Sequence, residues 1–89
     1  LYLRETPKLL ATLQEAVTLE DASAIQRTAH SLKSGSGNVG ALRLMALCKT
    51  LEEQGRHNAL TTAPTVAGAI ATEYAAVCVA LDAAIRKDA

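Results

Sequence analysis

Two histidines, two cysteines and a few acidic pairs are all the reactive chemistry that 89 residues offer. His57 falls in a polar stretch and reads as a surface loop residue. His30 differs because of its neighbours. It stands one residue past Ala29 and two before Leu32, both on an apolar helical stripe, so it flanks that stripe and faces solvent at its edge. Above it on the same helical face come Lys33, Ser34 and Gly37, and Gln26 and Arg27 form the turn before it. The ring thus has a cation beside it and small residues over it. Gly35 and Gly37 each cost a helix about 0.5–1 kcal/mol relative to Ala. A helix end explains Gly37, but not Gly35 together with Ser34 and Ser36. The pattern leaves open space beside a nucleophilic ring nitrogen, as a bulky tetrahedral anion or another protein's active site would require. An imidazole in water, with a pKa of about 6.5, is mostly neutral and nucleophilic near neutral pH.

The remaining groups carry less. Glu52 and Glu53 are adjacent, diverge on a helix and form no acid/base pair, so they read as a solvated face. Cys48 and Cys78 lie in apolar helical stretches without a CxxC and read as buried free thiols. No histidine stands at metal-ligand spacing from either, so no metal site is expected. Nucleophile elbow, P-loop and HExxH motifs are all missing. Nothing here supports catalysis in isolation.

The elements that must position His30 are helical. Ala (18), Leu (13) and the straight-chain Glu, Lys, Arg, Gln and Met make 50 residues, against 17 for Val, Ile and Thr, which nearly excludes an all-β fold. Leu9, Leu10, Leu13 and Val17 form one stripe, extended backwards by Leu3 and ending near Glu20. Pro7 either starts that helix after a Thr6 cap or kinks a longer one. Asp21 is a natural N-cap for a second helix striped by Ala22, Ile25, Ala29, Leu32 and Ser36, which the cluster Gly35, Gly37 and Gly40 closes. A third helix from Ala41 turns Leu44, Leu47, Cys48 and Leu51 inward, pairs Lys49 with Glu53 on its wet face, and ends at a Gly55 C-cap beside Arg56. Residues 57–62 read as loop. Thr62 caps a last helix with Pro64 in its first turn and Val66, Ile70, Tyr74, Val77, Leu81 and Ile85 inward, Asp82 pairing with Arg86. Four stripes on short connections predict one domain over residues 1–89, an all-α, antiparallel up-and-down four-helix bundle.

Charge narrows the partners. Lys+Arg and Asp+Glu are both 9, so neither nucleic acid nor an anionic membrane surface is expected. The apolar run 66–81 is short for a membrane span and interrupted by Glu73, and reads as a packed helix. No signal peptide is visible. The chain begins Leu1-Tyr2-Leu3 without Met, as an excised segment of a longer protein would.

The run Ala29-His30-Ser31-Leu32-Lys33-Ser34-Gly35-Ser36-Gly37-Asn38-Val39-Gly40-Ala41 resembles the signature of histidine-containing phosphotransfer domains of two-component phosphorelays. Leu44, Cys48, Leu51-Glu52 and Gly55-Arg56 resemble the helix that follows in that family. Specific motif is confined to residues 28–56, and Ser34 stands where the family often has Gly. The resemblance implies a four-helix bundle in which His30 accepts and donates a phosphoryl group through Nε2. Lys33 would offset the charge of the phosphorylated ring, with Ser34 and Gly37 lining the phosphoryl pocket. Gln26, Arg27, Lys33, Gly37, Asn38 and Arg43 would border the docking face. It implies the receiver domain of a response regulator as partner, bringing the acceptor Asp and the Mg²⁺, and no cofactor in this domain. It also implies a sensor histidine kinase in cis or trans, in a hybrid kinase for example, and a cytoplasmic setting. Two rivals stand beside it. One is a degenerate helical interaction module that has lost the relay. The other is a sensor-kinase dimerisation and phosphoacceptor domain, which would carry an acidic or polar residue after the His, where Ser31 stands, and lack the glycine cluster.

Overall fold

The computed structural model describes residues 2–38 and 41–88, with side chains over 5–37 and 41–83. Four helices follow in order: α1 (Tyr2–Thr18), α2 (Ala22–Asn38), α3 (Leu42–Arg56) and α4 (Ala63–Asp88). They pack as a ring, α1 on α2, α2 on α3, α3 on α4 and α4 back on α1, with no diagonal pair in contact among the described residues. This is the antiparallel four-helix bundle that the stripes predict. Leu13, Ile25, Leu32, Leu44, Leu51 and Ile70 are each at most 2% exposed and make its centre. Ala16, Ala29, Ala63 and Ala67 let the helices approach closely around them.

The helix ends show where local chemistry suffices and where it does not. Asp21 caps α2 as expected, its carboxylate accepting from Ala24 N–H at 3.1 Å. The end of α1 is a Schellman turn, with Asp21 N–H on Ala16 C=O at 2.9 Å and Glu20 N–H on Val17 C=O at 3.1 Å. That turn puts Glu20 at a left-handed φ of 54°, which strains an L side chain and suits glycine. Glu20→Gly is therefore expected to stabilise the chain by up to about 1 kcal/mol, raising its thermal midpoint by several degrees in a circular-dichroism melt.

Several sequence expectations need correction. Pro7 lies inside α1, and Thr6 is buried in that helix rather than capping it, because α1 starts upstream at Tyr2. Gly35 and Gly37 lie within α2, which runs to Asn38; Gly40 is outside the described residues. Gly55 does not cap α3. It is buried in the last turn, and a second Schellman turn centred on Asn58 (φ 54°) ends the helix instead. Thr62 precedes α4 as predicted, but its hydroxyl accepts from Gln54 Nε2 at 2.6 Å, tying the α3–α4 loop to α3. Lys49 and Glu53 are both exposed and make no ion pair among the described residues. Cys48 is fully buried and Cys78 only half so. The side chains of Leu3, Ile85 and Arg86 lie outside the described set.

At 26 residues, α4 is about 39 Å long, far longer than its neighbours. Its Ala67, Ile70 and Tyr74 pack into the core, and beyond Tyr74 its inward residues Val77, Cys78 and Leu81 are only half-buried. Residues Ala63–Ala83 are long and apolar enough to cross a membrane by length and composition. Most of that hydropathy comes from Val66, Ile70, Val77, Cys78, Val79 and Leu81, of which Ile70 is fully buried and Val79 is exposed.

Candidate functional site

His30 lies midway along α2, its side chain 60% exposed. Its place follows from the stripe: Ala29 and Leu32 are buried on either side, so residue 30 emerges at the edge of the α2–α3 seam. Across that seam stands Glu52. Its Oε2 is 2.7 Å from His30 Nδ1, and its Oε1 accepts from Lys33 Nζ at 2.6 Å. The Glu52 side chain is only 7% exposed, so the expected solvated acid is in fact a buried carboxylate shared by two partners on α2.

The seam holds this register through small residues. A Cβ on Gly55 would stand 2.8 Å from both Ala22 O and Gln26 N, so the last turn of α3 rests directly on the backbone of α2. Glu52 lies one turn before Gly55, and His30 one turn after Gln26, so that close approach brings carboxylate and imidazole into bonding range. At the other end a Cβ on Gly37 would meet Met45 Sδ at 3.2 Å.

Electrostatics fix the roles. The Lys33 hydrogen bond holds the Glu52 carboxyl below its ordinary value, helped by the His30 bond and opposed by burial. An ionised carboxylate has no proton to give, so the ring nitrogen facing it carries the hydrogen: Nδ1–H donates to Glu52. In the neutral ring Nε2 then bears the lone pair. Under the seam, burial pushes the Cys48 thiol up to about 11, keeping it protonated and inert.

The depressed carboxyl makes a prediction about pH. A group whose folded pKa lies below its unfolded value of 4.5 stabilises the fold above that pH, and the contribution is lost as pH falls through the folded value. Glu52→Gln is expected to lower stability at pH 7 by about 1–3 kcal/mol, the cost of breaking a buried charge-assisted pair. Urea titrations should show the gap narrowing as the pH drops from 5 towards 3.

The other residues singled out in the sequence divide. Gln26 and Arg27 line an open recess of about 540 Å³ together with His30, Ser31 and Glu52. Ser34 and Gly37 are exposed further along α2 and do not line it. Arg43 pairs with Glu73 on α4 at 3.5 Å, away from the recess. Asn38 is the last residue of α2, and its side chain lies outside the described set. Glu52 is the residue that sequence reasoning missed. Its signal was its spacing, four after the buried Cys48 and three before the buried Gly55, which puts it on the packed face.

A solvent-facing histidine, seated on a carboxylate in the wall of a four-helix bundle, fits a class of protein that carries a group on histidine. The Hpt domain family model matches residues 1–84, and the chain belongs to that family. It is similar to histidine-containing phosphotransfer protein B (HptB) from Pseudomonas aeruginosa PAO1, whose crystal structure agrees with a TM-score of 0.93. The two are 34% identical, the match covering 97% of this chain and 75% of that one. No curated protein matches significantly.

Proposed function

We propose that this domain is a phosphorelay intermediate: His30 Nε2 takes a phosphoryl group from the aspartyl phosphate of a response-regulator receiver domain and passes one on. The observation that carries the reading is the 2.7 Å contact between Nδ1 and Glu52. It fixes the tautomer and leaves the nucleophilic nitrogen pointing away from the bundle. Transfer proceeds in line through a loose transition state that needs alignment and charge neutralisation. The phosphorus–oxygen bond to the aspartyl carboxyl breaks, the phosphorus–Nε2 bond forms, and the carboxylate leaves as an anion. The Nδ1 proton stays on the ring, which becomes cationic against Glu52, so the bond to Glu52 strengthens as charge develops.

The chain supplies nucleophile and docking surface, while the receiver brings the Asp and its Mg²⁺. Docking centred on the recess engages Gln26, Arg27 and Ser31 first, with Lys33, Gly37 and Asn38 along the α2 rim. Arg43 would join only by leaving Glu73. A sensor histidine kinase, in the same chain or another, would load the relay in the cytoplasm. The test mixes this chain with a receiver domain phosphorylated by a small-molecule phosphodonor. Acid-labile, base-stable phosphate should appear on the chain. A chain that stays unlabelled would instead be a degenerate interaction module.

A further inference from the structure

A phosphoryl group on His30 needs a cation, and the nearest lysine is already engaged. Lys33 donates to Glu52 Oε1 at 2.6 Å, its side chain only 29% exposed, and its charge cancels that of the buried carboxylate. Freeing it would leave the buried Glu52 Oε1 without its donor and the carboxylate held by His30 Nδ1–H alone.

The space beside the ring lies elsewhere. Helical side chains lean towards the N-terminus, so the His30 imidazole covers the turn of Gln26 and Arg27 rather than that of Ser34 and Gly37. The recess there is walled by Gln26, Arg27, Ser31 and Glu52 around His30. Arg27 is exposed, one turn before His30, and its guanidinium makes no ion pair or side-chain hydrogen bond among the described residues. A planar fork of N–H donors matches phosphoryl oxygens better than a point charge.

We propose that the phosphoryl group of His30 is held in this recess by Arg27, with the Gln26 amide as a second donor, and that Lys33 acts only through Glu52. This rests on His30 being the acceptor. During transfer the Arg27 guanidinium would meet the equatorial oxygens as the phosphorus–oxygen bond to the aspartyl carboxyl lengthens. Afterwards it would shield the phosphorus–nitrogen bond from water.

The test follows phosphoryl uptake from a phosphorylated receiver and the lifetime of the resulting phosphohistidine, in the wild type and in Arg27→Gln, Arg27→Lys, Lys33→Gln and His30→Gln. Lys8→Gln, on α1, controls for net charge. Arg27→Gln should slow uptake at saturating receiver at least tenfold and shorten the phosphohistidine lifetime several-fold, with an unchanged melt. Arg27→Lys should recover part of both, and Lys8→Gln should match the wild type. Wild-type uptake and lifetime in Arg27→Gln would overturn the proposal, and a lifetime lost only in Lys33→Gln would hand the role to Lys33. A rise in KM alone, with saturated rate and lifetime intact, would also overturn it, making Arg27 a docking contact. If the wild type takes no phosphate, or His30→Gln still takes it, the acceptor reading fails and this proposal with it.

Discussion

His30→Gln is expected to take up no phosphoryl group from a phosphorylated receiver domain, yet to melt within several degrees of the parent. The loss should be complete, because no other described side chain offers a nucleophilic nitrogen at the recess. The stability cost should stay near 1 kcal/mol, that of one hydrogen bond, which for a chain this small moves the midpoint by about 4–8 °C. The imidazole is mostly in solvent and fills no core space, and glutamine can itself donate to Glu52. Radiolabel transfer and a thermal melt on the same preparation check both halves. Retained labelling would mean another acceptor, and a chain that fails to fold would mean that the histidine is a packing residue.

Gly55→Ala has the opposite profile: a large loss of stability from a residue that carries no chemistry. A methyl group gains up to about 1 kcal/mol of helix propensity. It also puts a Cβ 2.8 Å from the backbone of both Ala22 and Gln26. Backbone cannot rotate away as a side chain can, so α2 and α3 must separate, at a cost of about 2–4 kcal/mol. The net expectation is a loss of about 1–3 kcal/mol. Separation also stretches the contact between Glu52 and His30, one turn along. In nitrogen-15 spectra the Nδ1–H tautomer of His30 should therefore lose population in the variant. A melt at or above that of the parent would show that the seam has slack there.

These two residues mark where sequence stops and tertiary structure begins. The 3.6-residue stripes, the Asp21 cap and the placement of His30 between buried Ala29 and Leu32 are local properties of single helices. Each can be read along one strand of text because a helix fixes which residues share a face. Glu52 and Gly55 cannot be read that way. A carboxylate beside another carboxylate looks solvated, and a glycine beside an arginine near a helix end looks like a cap. Both become seam residues only when α3 lies antiparallel on α2 in a register that sets 52 opposite 30 and 55 opposite 22 and 26. That register is set by how closely two backbones can approach, a property of the helix pair that no spacing within either helix contains. The same holds for the tautomer of His30. The sequence determines that an imidazole meets water on α2, and only the buried carboxylate arriving from α3, ionised because Lys33 holds it so, decides which of its nitrogens is free to react.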